Sequence, residues 1–372
     1  MSDVEIGRAK RGRRVYAFDD IAVVPSRRTR DPEDVSVSWT IDAFQFDIPV
    51  LAAPMDSVVS PSVAIQIGKL GGLGVLNLEG LWTRYEDPEP LLEEIRSLPE
   101  ELATKRMQEI YSEPIKPELV TGRLSEIRSS GVTVAGALSP QRTQELYKTV
   151  VDAGVDLFVI RGTTVSAEHV SKSHEPLNLK KFIYELDVPV IVGGAAGYTP
   201  ALHLMRTGAA GVLVGFGGGA ASTTRANLGI HAPMATAVAD VAGARRDYLD
   251  ESGGRYVHVI ADGGLGTSGD IVKAISVGAD AVMLGSALAR ATEAPGRGMH
   301  WGAEAHHPNL PRGHRVEVGS IAPLEQILFG PSTVADGTVN LIGALKKSMA
   351  TTGYLDLKEF QRVEVVLARY KG

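Results

Sequence analysis

The chain has 372 residues, of which 44% are hydrophobic and 22% are charged, a balance typical of a globular protein with a sizeable core. Its formal net charge of -6 provides no overall positive field, so nucleic acid is not an expected partner. The absence of cysteine excludes disulfides, thiolate metal ligands and a cysteine nucleophile.

The N-terminal segment is polar and carries a basic run, Arg8 to Arg14, which we interpret as a solvated tail rather than a targeting signal. No signal-peptide core follows it, and no apolar run along the chain is long enough to cross a bilayer. We therefore expect a cytoplasmic protein that has no membrane partner.

Eight short apolar runs rich in β-branched residues recur along the chain, and most end in Ala, Gly or Ser. They are IPVLAAP from Ile48, GGLGVLN from Gly71, VTVAGAL from Val132, DLFVIRG from Asp156, VPVIVGG from Val188, AGVLVGFGGG from Ala210, VHVIADGG from Val257 and AVMLGSA from Ala281. Such runs are typical of strands that are buried on both faces.

Segments of helical period lie between these runs, for example residues 143–153, 200–207 and 268–277. Alternating strands and helices predict a parallel sheet, and eight repeats fit a closed (β/α)8 TIM barrel better than a Rossmann-like open sheet. We predict a single domain over residues 1–372.

Two segments interrupt this alternation. Residues 81–130 are charged and separate the second strand from the third by more than a usual connection, so we predict a short helical insertion there. Residues 296–319 are rich in Gly, Pro and His and follow the eighth strand, where a mobile lid over the mouth of the barrel is expected.

Glycine turns follow the last two predicted strands. Asp262, Gly263 and Gly264 end the seventh strand, and Gly285 and Ser286 end the eighth. In barrels of this class these two loops commonly bind phosphate through backbone N–H groups, because glycine lets the backbone approach closely. The alternative is a pair of purely structural turns. We favour phosphate binding, with Asp262 accepting hydrogen bonds from ribose hydroxyls.

The sixth strand ends in a loop of small residues, from Gly215 to Arg225. Such a loop packs closely against a ligand or rearranges during turnover, although a glycine-rich loop is by itself a weak signal.

Taken together, these segments resemble the IMP dehydrogenase and GMP reductase family over nearly the whole chain. The matching stretches are AFDDIAVVPS from Ala17, VLAAPMDSVVS from Val50, GGLGVLN, the glycine-rich loop, VIADGGLGTSGDIVKAISVGADAVMLGS from Val259, EAPGRGM from Glu293 and NLIGALKKSMATTGYLDLKEF from Asn340. The most similar members look like the short IMP dehydrogenase-like paralogue of actinobacteria and cyanobacteria. That paralogue lacks the regulatory Bateman (CBS) domain, and residues 81–130 are too few to contain one.

The resemblance implies that the substrate is a purine nucleoside monophosphate, GMP or IMP. It implies a ribose contact at Asp262 and purine contacts at Met55 and Met299. Phosphate contacts are implied in the two turns, at Gly263, Gly264, Gly285 and Ser286.

In the family, a cysteine in the glycine-rich loop attacks the purine, and hydride passes to or from a nicotinamide cofactor. Here that position is Ser222, and Thr224 matches the threonine implied in proton transfer. A serine hydroxyl is far harder to ionise than a thiol and needs a dedicated base. We therefore expect nucleotide binding to survive and turnover to be very slow or lost.

Other departures from the family narrow the expected chemistry. The Arg-Tyr pair that activates water in IMP dehydrogenases has no counterpart between Trp301 and Gly319, which favours GMP reductase. Against this, Arg312 aligns near the glutamate that contacts the base in GMP reductases. Arg161 replaces the aspartate for the nicotinamide ribose, which weakens cofactor binding or shifts it from NAD toward NADP.

The resemblance also places Gly215 and Gly217 among the cofactor-binding residues. A potassium ion held by backbone carbonyls of the loop from Gly215 to Ser222 is a further option. His300, His306, His307 and His314 lie in the lid, but no acidic or thiol ligand completes a recognisable spacing. We expect exposed, polar histidines there and no metal site.

The favoured function is therefore a GMP reductase-like oxidoreductase, converting GMP to IMP with NADPH and impaired at Ser222. A catalytically silent GMP- or IMP-binding protein and an FMN-dependent barrel oxidoreductase are the alternatives. Family members are tetramers, so a homotetramer is expected. The segment from Met107 to Tyr111 would serve an interface or pack on its own subunit.

Overall fold

The computed structural model describes residues 3–172 and 175–368. Eight parallel strands form a closed barrel in which each strand pairs with the next one along the chain and the last pairs with the first. The strands are β1 Val50–Ala52, β2 Leu73–Asn77, β3 Ala135–Leu138, β4 Leu157–Arg161, β5 Val190–Ala195, β6 Gly211–Val214, β7 His258–Asp262 and β8 Ala281–Leu284. Each of the eight predicted runs overlaps one barrel strand, so the predicted TIM-barrel fold is confirmed.

Helices surround the barrel and extend its loops. They are α1 Pro61–Lys69, α2 Glu89–Ser97, α3 Glu100–Ile110, α4 Pro117–Ser129, α5 Pro140–Asp152, α6 Leu179–Glu185, α7 Tyr198–Met205, α8 Thr224–Leu228, α9 Met234–Glu251, α10 Ser268–Ser276, α11 Ser286–Ala289, α12 Leu324–Phe329, α13 Leu341–Thr352 and α14 Leu357–Phe360. The predicted helical segments correspond to α5, α7 and α10, with ends that differ by at most three residues.

Local sequence explains where several of these helices begin. Ser60 and Ser139 accept hydrogen bonds from the third residue after them, and each is followed by proline, which favours the first helical position. Thr267 caps α10 and forms a reciprocal capping box with Asp270.

Short antiparallel strand pairs accompany the barrel. Trp39–Ile41 pairs with Phe44–Phe46, and the buried Ile41 packs near Gly211 at the start of β6. This hairpin therefore closes the amino end of the barrel, opposite the expected site. A second pair joins Ile21–Val24 to Glu364–Leu367.

The N-terminal basic run does not form an irregular tail. It lies in an exposed hairpin of Asp3–Gly7 and Lys10–Arg13, and Arg13 forms an ion pair with Asp240 of α9. Among the described residues, no helix is long and apolar enough to cross a membrane.

Residues 81–130 contain a 3-10 turn, Leu81–Thr83, and helices α2, α3 and α4. This insertion forms a second hydrophobic core together with Trp301 and Ala305 of the lid. Met107 and Tyr111 lie inside this core, so the structure shows the packing on the same subunit that the sequence left open.

Candidate active site

A cavity with about 870 Å³ of unoccupied space, part of it open to solvent, lies at the carboxyl ends of the barrel strands. Parallel strands bring their carboxyl ends to one face, so residues far apart in sequence meet there. The sequence-predicted site residues that line it are Met55, Arg161, Gly215, Gly217, Ser222, Thr224, Asp262, Gly263, Gly264, Gly285 and Ser286.

Met299 does not line this cavity. It pairs with Glu317 in a short strand and packs against the second hydrophobic core. Three lining residues that sequence reasoning did not assign to this site are Thr163, His300 and Glu304.

The two glycine turns face the cavity beside the glycine-rich loop. Gly264 has φ +70, and a Cβ added at Gly218 would lie 3.4 Å from its backbone nitrogen, so loop and turn approach closely. The amides of Gly264 and Ser286 donate to no other residue that the structure describes. Backbone donors without a protein partner at the edge of a cavity favour an anionic ligand.

Asp262 is paired rather than free. Its Oδ2 accepts a hydrogen bond from the Arg161 Nε at 3.1 Å, and both side chains are largely buried. Burial lowers the pKa of Arg161, but the charges of Asp262 and Glu304 outweigh burial and leave the pKa above its usual value. The second Asp262 oxygen can accept from a ligand hydroxyl.

The glycine-rich loop is attached to the lid. Ser222 forms a β-bridge with Gly313, the Thr223 amide donates to the Arg312 carbonyl at 2.9 Å, and the His314 amide donates to the Ala221 carbonyl at 3.0 Å. Loop and lid therefore form one wall of the cavity in this structure.

The Ser222 hydroxyl lacks an activating partner. Its oxygen accepts a weak hydrogen bond from the Thr224 amide at 3.4 Å, and within the described residues no carboxylate or imidazole contacts it. Thr224 is buried, and its hydroxyl lies 3.5 Å from the Arg312 carbonyl. A serine nucleophile needs a base within hydrogen-bond reach, and this arrangement does not provide one.

The prediction of exposed lid histidines is wrong, because His300 is buried and His306, His307 and His314 are half-buried. His300 is 2% exposed and contacts the Ser57 hydroxyl at 3.0 Å, and burial lowers its pKa to about 4. His306 stacks on Tyr111, and burial lowers its pKa to about 4 as well, helped by Arg84. Both rings are neutral at pH 7. Over the described ranges, no group of three or more potential metal ligands is found.

The lid also brings a carboxylate into the cavity. Glu304 accepts a hydrogen bond from the Thr163 hydroxyl at 2.6 Å and forms an ion pair with Arg312 at 3.0 Å. Thr163 follows β4, whereas Glu304 and Arg312 belong to the lid. The only sequence signal for Glu304 is an acidic residue within a Gly-, Pro- and His-rich segment.

A second cleft lies beside the cavity and shares part of its wall, including Arg161, Thr163, Glu304 and Arg312. The other basic and imidazole side chains that line this cleft are Arg84, Arg142, His306 and His307. The two spaces together could hold a nucleotide and a second anionic ligand next to each other.

Comparison with known proteins shows which family the chain is similar to. Residues 15–307 match the model of the IMP dehydrogenase / GMP reductase domain. The chain belongs to this family. It is an oxidoreductase by family, and its eight-stranded barrel carries the cavity described above.

Among curated members of the family, an uncharacterized oxidoreductase of Mycolicibacterium smegmatis is 53% identical over 97% of this chain and 98% of its own length. An inosine-5'-monophosphate dehydrogenase of Methanocaldococcus jannaschii is 26% identical over 94% of this chain and 91% of its own length. A crystal structure of an IMP dehydrogenase/GMP reductase-like protein from Corynebacterium glutamicum is 50% identical, with a TM-score of 0.94 and 98% of each chain covered.

Proposed function

We propose that the protein binds a purine nucleoside monophosphate and descends from enzymes that convert GMP to IMP with NADPH. The observation that carries the proposal is the grouping of two unpaired backbone amides, at Gly264 and Ser286, with the Asp262 carboxylate in one cavity. Amides and carboxylate together match the phosphate and the ribose hydroxyls of such a nucleotide.

In this proposal the phosphate lies on the turns at Gly263, Gly264, Gly285 and Ser286. Asp262 accepts hydrogen bonds from the ribose hydroxyls. Met55 contacts the substrate next to Gly285, since a Cβ added at Gly285 would lie 3.3 Å from the Met55 sulfur. Met299 acts only through the packing of the lid, since it does not line the cavity.

The second cleft supports a nicotinamide nucleotide as cofactor. In this family such a cofactor supplies or accepts a hydride at the purine ring. Its phosphates need cationic partners, and Arg142 and Arg161 line the cleft. The arginine at position 161, where the family has an aspartate, and the other cations favour NADP over NAD.

Ser222 accounts for impaired turnover in the proposal. The purine must be attacked by a nucleophile in the glycine-rich loop, and the Ser222 hydroxyl has neither a low pKa nor a base beside it. Restoring a thiol at this position would restore a group that ionises near neutral pH.

The test is the oxidation of NADPH, followed by its absorbance, with GMP as substrate. We expect no measurable turnover in the protein as it stands and GMP-dependent oxidation in Ser222→Cys. A Ser222→Ala variant is the matched control and should stay inactive. Silence of the cysteine variant, with GMP bound, would contradict the reductase proposal.

The absence of a base at Ser222 favours a second candidate, a silent protein that binds GMP or IMP. Nucleotide-dependent thermal shifts would support both candidates, because a ligand that binds the folded state raises its stability. Inactivity in both the serine and the cysteine forms would favour the silent protein.

By resemblance, we also propose that the protein forms a homotetramer, whose mass light scattering would measure.

A further inference from the structure

The wall between the two clefts contains an ionic pair that the proposed function does not use. Glu304 and Arg312 line both spaces and lie 3.0 Å apart. The Thr163 hydroxyl donates to the same carboxylate at 2.6 Å. These contacts leave part of the acceptor capacity of the carboxylate free, because two carboxylate oxygens together offer about four lone-pair sites.

Arg312 also has an unused donor. Its Nε is buried and has no hydrogen-bond partner among the residues that the structure describes. A buried donor without a partner is costly, and a ligand acceptor would satisfy it. The wall therefore presents a free acceptor edge and a free donor next to each other.

The orientation of a nucleotide follows from the proposed function, on which this inference rests. With the phosphate on Gly264 and Ser286 and the ribose at Asp262, the base lies among the other lining residues, which include Met55, Ser222 and the lid residues Glu304 and Arg312. Arg312 is joined to that region, since its carbonyl accepts from the Thr223 amide.

We infer that Glu304 and Arg312 read the pairing edge of guanine. Guanine presents two adjacent donors, N1–H and the exocyclic amino group, beside the O6 acceptor. A carboxylate accepts from both donors, and the guanidinium faces O6. Hypoxanthine lacks the amino group, xanthine directs a carbonyl oxygen at the carboxylate, and adenine has an unprotonated N1.

Glu304 is held in place before any ligand binds. Thr163 and Arg312 fix its carboxylate, and the neighbouring Ala305 is fully buried in the second hydrophobic core. A preorganised acceptor loses little conformational freedom on binding, which strengthens its discrimination between bases.

Isothermal titration calorimetry with GMP, IMP, XMP and AMP tests the inference on the full chain and on Glu304→Gln. In the unchanged protein we expect GMP to bind about tenfold more tightly than IMP, with XMP and AMP weaker. In Glu304→Gln, the amide donor opposes the guanine amino group, so the GMP-to-IMP preference should fall about tenfold. The same donor can bond to the second carbonyl of XMP, whose affinity should rise.

Glu145→Gln is the matched control, since Glu145 lines the second cleft in an exposed pair with Arg142. It should leave the order of the four nucleotides unchanged. Thr163→Val keeps the carboxylate but removes its positioning donor, and should reduce the GMP preference by a smaller factor. It serves as the second variant if thermal unfolding shows that Glu304→Gln does not fold.

An unaltered GMP-to-IMP ratio in a folded Glu304→Gln protein would overturn this inference and leave the proposed function intact. Failure of all four nucleotides to bind the unchanged protein would instead refute the proposed function, and this inference with it. A gain of XMP affinity is the result that a purely structural role for Glu304 does not produce.

Discussion

At the scale of single residues, Asp56 is the clearest case of a side chain whose chemistry depends on its surroundings. It follows Met55 of the cavity wall and is 2% exposed. Its Oδ2 accepts from the Leu81 amide at 3.0 Å and from the Tyr111 hydroxyl at 2.6 Å, whereas Oδ1 has no partner among the described residues. Burial raises its pKa to about 6, although Tyr111, Leu81 and Arg84 act in the opposite direction.

Asp56→Asn should change how stability depends on pH. The folded protein holds the Asp56 proton more tightly than the unfolded chain, whose pKa is near 3.8. The stabilisation that protonated Asp56 contributes is therefore fully present below pH 3.8 and is lost as the pH rises through 6. From pH 4.5 to pH 7.5, the free energy of unfolding of the asparagine variant should therefore rise by about 2 kcal/mol relative to that of the unchanged protein, measured by urea unfolding. A difference that stays constant with pH would contradict the raised pKa.

At the scale of elements, the insertion and the lid stabilise each other. Trp301 is 1% exposed in the core that the insertion supplies, and its Nε1 donates to the Tyr111 hydroxyl at 3.0 Å. Arg315 of the lid donates to the carbonyl of Arg96 in α2. The lid residues around Trp301 are thus anchored, whereas residues 308–310 of the same segment are exposed.

Tyr111→Phe should weaken this junction. The substitution removes the hydroxyl that links Trp301 to Asp56 and leaves two buried polar groups without that partner. We expect a loss of about 1–3 kcal/mol in the free energy of unfolding, measured with denaturant. Tyr184→Phe, at a site on α6 that is 90% exposed, is the control and should change stability by less than about 0.5 kcal/mol. Equal effects of the two substitutions would argue against the junction.

At the scale of the whole molecule, a buried carboxylate joins the barrel to the C-terminal region. Asp280 precedes β8 and pairs with Arg245 of α9 at 2.8 Å and with Lys358 of α14 at 2.5 Å. Burial raises the pKa of Asp280, but the charges of these two cations and of His258 outweigh burial. The net effect lowers the pKa from 3.8 to about 2. The charged form therefore predominates in the folded protein at neutral pH.

Asp280→Asn should destabilise the protein by about 3 kcal/mol at pH 7, because it leaves Arg245 buried without a charge partner. The stabilisation from Asp280 is present above pH 3.8 and is lost as the pH falls toward 2, so the two proteins should converge in acid. Glu251→Gln, in a half-exposed pair with Arg206, is the control and should cost less than about 1 kcal/mol. Urea unfolding at both pH values distinguishes these outcomes.

The barrel and the glycine turns could be predicted from sequence because both depend on local patterns. A buried strand is a short apolar run, and the order of strands in a closed barrel follows the order of the chain. The turns at Gly264 and Gly285 then meet at one face without any knowledge of side-chain packing.

The placement of Met299, of His306 and of the segment from Met107 to Tyr111 could not be predicted in this way. Each depends on the second hydrophobic core, which forms only when the insertion meets the lid. Glu304 has a hydrogen-bond partner, Thr163, that lies 141 residues away in sequence. No periodic pattern encodes such a contact.

The sequence by itself determined the architecture, the family and the glycine turns that meet at the carboxyl ends of the strands, because those follow from hydrophobic period, glycine placement and chain order. Only the tertiary structure decided which charges meet: Arg161 with Asp262, Glu304 with Arg312, and Asp280 with Lys358. Electrostatic interactions depend on distance in space and on burial, and both are set by the packing of the folded chain.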